Sequence, residues 1–130
     1  MQGEMILTIG PLAVRTGPSA VKAFAEALGS SFAEGGSARV PHTFPMSWLD
    51  LDEVKTALFE RSGQVLQTLQ TIVYRRPLLI DKDYSMTVRL VKERTARSLL
   101  DTTVIDSTGA LVVSMASHVV TLPRSENAAP

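Results

Sequence analysis

The chain of 130 residues has no cysteine, a single tryptophan, two histidines and no excess of charge of either sign. Each shortage removes a class of function. Without cysteine there is no disulfide, no thiol nucleophile and no thiolate metal site. That composition is compatible with a reducing cytoplasm, the expected location. Lys and Arg total 13, Asp and Glu 13, and no charged block stands out, so neither nucleic acid nor an anionic membrane is an expected partner. The apolar runs, such as 110–113, fall far short of the ~18 residues a membrane span needs. The opening Met1-Gln2-Gly3-Glu4-Met5 puts no basic stretch ahead of Ile6 and Leu7, so it does not read as a signal peptide. Two isolated histidines form no ligand cluster, and neither a GxSxG elbow nor a phosphate loop occurs, so no metal or cofactor is expected.

What remains suits one domain over residues 1–124, with a small, polar tail at 125–130 expected to be disordered. A chain of this size buries about two-thirds of its unfolded surface, enough for a working core. Met5 to Ile9 reads as a first strand stopped by Gly10-Pro11. Thr16 or Ser19 caps a helix in which Val21, Phe24 and Leu28 recur at helical spacing, and Gly29 ends it. Residues 30–45 are loop-like. Asp50, with Glu53 three residues on, predicts a capped second helix with the apolar stripe Leu51, Val54, Leu58. Its charged residues suggest partial enclosure, and the enclosed segment alternatively begins near Thr43 to Trp48. The second half alternates. Tyr84, Met86, Val88 and Leu90 share one face of a strand. Residues 98–105 and 111–122 predict a hairpin around the turn Asp106-Ser107-Thr108-Gly109. Helices first and strands in a run afterwards argue α+β.

Several stretches carry a family likeness. They are Phe24-Ala25-Glu26-Ala27-Leu28-Gly29, Val40-Pro41-His42-Thr43-Phe44-Pro45, and the strand from Gln70 through Tyr74, Arg75, Arg76 and Pro77 to Leu78. In order and spacing they resemble the MaoC-like dehydratases, over roughly residues 5–122. The closest likeness is to the non-catalytic unit of the (R)-specific enoyl-thioester hydratases. The resemblance implies a hot-dog fold, a curled antiparallel sheet of about five strands wrapped around a central helix. It also implies a dimer as the minimum unit, because joining edges hides an exposed strand.

Catalytic members carry Gly-Asp-x-Asn-Pro-x-His after the first helix, since hydration needs one group to activate water and another to handle the α-carbon proton. Here that stretch is Gly29-Ser30-Ser31-Phe32-Ala33-Glu34-Gly35-Gly36, with serine in place of the aspartate and no histidine following at the required interval. The resemblance therefore implies a hydro-lyase subunit for 2-enoyl or 3-hydroxyacyl thioesters of coenzyme A or acyl carrier protein. By the same resemblance this chain is expected to shape the tunnel and a MaoC-like partner to bring the catalytic pair. Two other functions stay open on the same scaffold, an acyl-CoA thioesterase and a non-enzymatic acyl-thioester binding protein.

The catalytic candidates are Glu34, the only carboxylate in the loop, and His42, against the plainer roles of a solvated glutamate and a backbone-bonded loop histidine. His118, mid-strand, reads as bonded to a neighbour. Phe44, Met46 and Trp48 either line an acyl tunnel or belong to the core, and Thr43 offers its amide to the substrate. Arg75 and Arg76 alternate across a strand, so one of them either contacts coenzyme A phosphates or anchors the strand end. Lys82, Arg39 and Arg94 are further phosphate candidates.

Overall fold

The computed structural model describes residues 4–27, 40–63, 65–94 and 97–121. Its centre is the strand pair whose alternation is plainest. Tyr84, Met86, Val88 and Leu90 of β3 (Asp83–Arg94) are all buried, and so are Ser98, Leu100, Thr102 and Val104 of β4 (Arg97–Ile105). The register sets Met86 against Val104, Val88 against Thr102 and Leu90 against Leu100, so successive rows of side chains cross from strand to strand on one face.

The predicted turn then reverses the chain into β5 (Leu111–Thr121). Asp106 Oδ1 accepts from the Thr108 amide, the Thr108 hydroxyl and the Ala110 amide at 2.9, 2.6 and 3.1 Å. Gly109 supplies the positive φ, +88°, that the closure requires. With β1 (Glu4–Arg15) beside β3 and β2 (Val65–Tyr74) beside β5, the sheet is antiparallel throughout, in the order β1-β3-β4-β5-β2.

The first strand does not stop at Gly10-Pro11. It continues to Arg15 through a cis Gly10–Pro11 peptide bond and a register shift between Ile9 and Leu12. An edge strand has one partner only, so it tolerates the missing proline N–H, and the bulge absorbs the misfit. Gly10 has φ +106°, and a Cβ there would lie 2.6 Å from Met86 O, which excludes any other residue.

Helical segments cover the inner face of the curled sheet. Val21 of α1 (Pro18–Ala27), Phe44 and Trp48 of a 3-10 helix (Phe44–Asp50) and Val54 of α2 (Asp52–Ser62) share one core cluster with the strands. The enclosed segment thus begins at Phe44, the earlier of the two expected starts. Asp50 is not the cap of α2. The 3-10 helix runs through it, and Leu51 takes the extended N-cap conformation (φ −60°, ψ 142°) with no side-chain cap bond. Acidic Asp52 and Glu53 still occupy the first turn, where the helix dipole favours them. α2 is only partly enclosed, with Val54 fully buried and Phe59 60% exposed.

Thr16 caps nothing. It is buried, and its hydroxyl donates to Leu79 O at 2.5 Å and accepts from Lys82 N at 3.0 Å, pinning the end of β1 to the segment before β3. Arg15 reinforces the clasp through Asp81 and, at 2.8 Å, Asp83. Leu28, the Gly29 cap and the polar tail lie outside the described residues.

Candidate functional site

A cleft of about 400 Å³ opens where α1, the 3-10 helix and β2 meet, lined by Phe24, Thr43, Met46, Ser47, Asp50 and Gln70 among others. Its walls follow from local sequence. Pro45 sits in the first turn of the 3-10 helix, and the Ser47 hydroxyl donates to Phe44 O at 2.7 Å, tightening the turn. Phe44 packs edge-on between Phe24 and Trp48, at ring centroid distances of 5.4 and 5.6 Å, and Trp48 lies 6.4 Å from Tyr84. The structure therefore divides the four residues expected near the substrate. Thr43 and Met46 line the cleft, whereas Phe44 and Trp48 stand behind it in the core.

His42 precedes this wall and is exposed. Its ring lies 5.3 Å from that of Tyr74, whose hydroxyl donates to the His42 carbonyl at 2.5 Å. Burial pushes the Tyr74 phenol up to about 12. His118 alternates onto the outer face of β5, with Nδ1 3.8 Å from Glu93 Oε1. Glu34, Ser30 and Arg39 lie outside the described residues. No group of acidic or histidine side chains fit to hold a metal occurs among the described residues.

The arginines sit elsewhere. β2 ends at Tyr74, so Arg75 and Arg76 follow the strand rather than alternating across it. Both amides donate to Val112 O, at 2.8 and 3.4 Å, which closes the ladder, and both side chains are exposed. Arg76 and Lys82 border a second hollow of about 490 Å³ with Tyr84, Asp106 and Ser107. Arg76 Nη1 lies 3.4 Å from Asp106 Oδ2. The Asp106 carboxyl is held below its ordinary range, chiefly by the Thr108 hydroxyl bond.

Six of the lining residues, Phe24, Ser47, Leu49, Asp50, Gln67 and Gln70, were not among the expected site residues. Counting back by two from Tyr74 through Ile72 reaches Gln70, so its inward direction was available in the strand pattern.

No protein-family model and no curated protein sequence matches the chain. Solved structures do. The C-terminally truncated HadBC complex of Mycobacterium tuberculosis, a 3R-hydroxyacyl-ACP dehydratase, superposes with a TM-score of 0.73 at 16% identity, over 92% of this chain and 96% of that one. The (R)-hydratase of A. caviae involved in PHA biosynthesis gives 0.64 at 19% identity, over 95% and 97%. A hypothetical thioesterase from Streptococcus pneumoniae, solved with coenzyme A, gives 0.63 at 8% identity, over 86% and 77%. The chain has the hot-dog fold. Its structural neighbours include dehydratases and hydratases of the kind its motifs resemble, and thioesterases as well. Among the described residues no helix is long and apolar enough to cross a membrane.

Proposed function

We propose that this hot-dog chain is the tunnel-shaping, non-catalytic subunit of a cytoplasmic hydro-lyase acting on enoyl or 3-hydroxyacyl thioesters. A second hot-dog subunit supplies the aspartate and histidine. The observation that carries this reading is the position of the two imidazoles. His42 leans on Tyr74 outside the cleft lining, and His118 faces outward beside Glu93. Water addition across an enoyl thioester needs a base for the water and an acid for the α-carbon. The cleft receives neither imidazole, and the segment from Gly29 to Gly36 has serine at the aspartate position.

In this arrangement the acyl group enters beside Thr43 and Met46, and coenzyme A phosphates reach the exposed Arg75 and Arg76. Gln70 lies in β2 and Arg75 and Arg76 follow its end, so an extended pantetheine arm running along the strand joins the cleft to the arginines. The test is copurification with a chain carrying Gly-Asp-x-Asn-Pro-x-His, followed by crotonyl-CoA hydration. A stable heteromer that hydrates only with both chains present is expected. A hydratase subunit fully active without this chain, and never associating with it, overturns the reading.

One observation favours a second function. Asp50, a carboxylate, lines the cleft itself, and a carboxylate can activate water for thioester hydrolysis. Hydrolysis of acyl-CoA by the pure chain, abolished in Asp50→Asn, would replace the hydratase reading with a thioesterase.

A further inference from the structure

Among the described residues, three buried side-chain polar atoms have no hydrogen-bond partner: Gln70 Nε2, Ser117 Oγ and Thr102 Oγ1. They are not scattered. Gln70 and Ser117 are directly opposed in the β2–β5 register, and Ser117 is fully buried on the inner face of the sheet. Directly opposed residues share a face, so Gln70 points inward as well. Thr102, also fully buried, pairs with Met115 one row away on that face. The unpaired atoms therefore form one polar patch inside an otherwise apolar sheet lining.

The orientation of Gln70 is set locally. Gln67 Nε2 donates to Gln70 Oε1, which leaves the Gln70 NH2 group as the free end. Gln70 also lines the cleft behind Thr43 and Met46. The patch consequently begins at Gln70 in the cleft wall, with the buried Ser117 beside it on the neighbouring strand. Unsatisfied buried polar atoms are uncommon in folded proteins, and clustering beside an open cleft is what a ligand subsite produces.

We propose that Gln70 and Ser117 form a specificity subsite that binds an oxygen carried further along the acyl chain, a hydroxyl or keto group beyond carbon 3. This rests on the acyl-thioester reading above and adds what the cleft selects. Gln70 offers two N–H donors, and Ser117 offers one O–H donor and two lone pairs. A keto oxygen takes the donors, and a hydroxyl both accepts from Gln70 and donates to Ser117. A saturated hydrocarbon chain leaves every one of these groups unpaired, so the subsite discriminates against it. Thr102 lies one row deeper and completes the polar surround.

The experiment measures binding of acyl-CoAs of equal length to the protein, together with any hydratase subunit it copurifies with. The panel holds the saturated parent and derivatives with a hydroxyl or keto group at successive carbons beyond carbon 3. At least one oxygenated chain should bind roughly tenfold or more tighter than the parent. That preference should vanish in Gln70→Met and in Ser117→Ala, while affinity for the saturated chain holds or rises. Two variants on different strands guard against one failing to fold, and thermal melts identify a loss caused by unfolding. Tight binding with no oxygen preference, or a preference surviving both substitutions, overturns the subsite and leaves the thioester reading standing. No binding of any acyl-CoA overturns both. A crystal structure with waters bridging Gln70 and Ser117, unchanged when an oxygenated acyl-CoA is bound, also overturns the subsite.

Discussion

Tyr74 joins the edge strand to the site wall through one hydrogen bond, from its hydroxyl to the His42 carbonyl. Burial holds the phenol protonated, up to about 12. An unfolded tyrosine ionises near pH ~10. Above that value the unfolded chain releases the proton first, so stability should fall between pH ~10 and 12, and Tyr74→Phe should flatten the decline. At neutral pH the same variant should lose about 1 kcal/mol in urea unfolding, the worth of an ordinary hydrogen bond. Asp106 works at the other end of the scale. Its folded carboxyl is held low, first by Thr108 and then by the turn amides. It contributes stability above the ordinary carboxylate range, which is lost as pH falls through its depressed folded value. Unfolding midpoints followed into acid should drop less steeply for Asp106→Asn than for the parent chain. Arg76 belongs to the proposed function. Arg76→Gln should weaken coenzyme A binding by about tenfold and leave binding of a simple pantetheine thioester unchanged, because only the former carries the nucleotide phosphates.

At the level of elements, β3 and β4 were legible because period-two alternation is local, and Asp106–Gly109 was legible because its turn chemistry lies within four residues. β1 was not. Its passage through Gly10-Pro11 depends on having β3 on one side only and on the close approach of Met86 O to Gly10. Gly10→Ala should therefore destabilise the fold by about 2–4 kcal/mol in denaturant titration, combining a positive-φ penalty with a backbone clash. Thr16 and Asp50 have the side chains of helix caps, but tertiary contacts and a preceding 3-10 turn assign them elsewhere, and no count along the chain reveals either. The site divides in the same way. Met46 was readable from the apolar cluster after the proline loop, and Thr43 only through the family likeness. Arg75 and Arg76 were misplaced because the strand ends one residue before them. The unpaired state of Gln70 and Ser117 was invisible, since it depends on the register between strands more than forty positions apart.

The whole molecule leaves one edge exposed in a way that asks for a partner. Among the described residues β2 closes the sheet order with a neighbour on one side only, and Leu66, Leu69 and Val73 along it are 56%, 59% and 51% exposed. A long edge strand without inward charges or a central proline is a template for pairing with another chain. The same strand carries Gln70 into the cleft, so whatever pairs with β2 also borders the site. A lysine on each of two edge positions, Leu69→Lys with Val73→Lys, should block that pairing. Because both side chains are already exposed, the monomer should keep its circular dichroism spectrum. Sedimentation should show the parent chain as a dimer, alone or with a hydratase subunit, and the double variant as a monomer. If the partner on β2 supplies a wall of the neighbouring cleft, acyl-CoA affinity should fall with the dimer. If the double variant stays dimeric, pairing runs through another surface. If it becomes monomeric with full affinity, the cleft is complete within one chain, and the shared wall has to be abandoned even though the edge pairing stands.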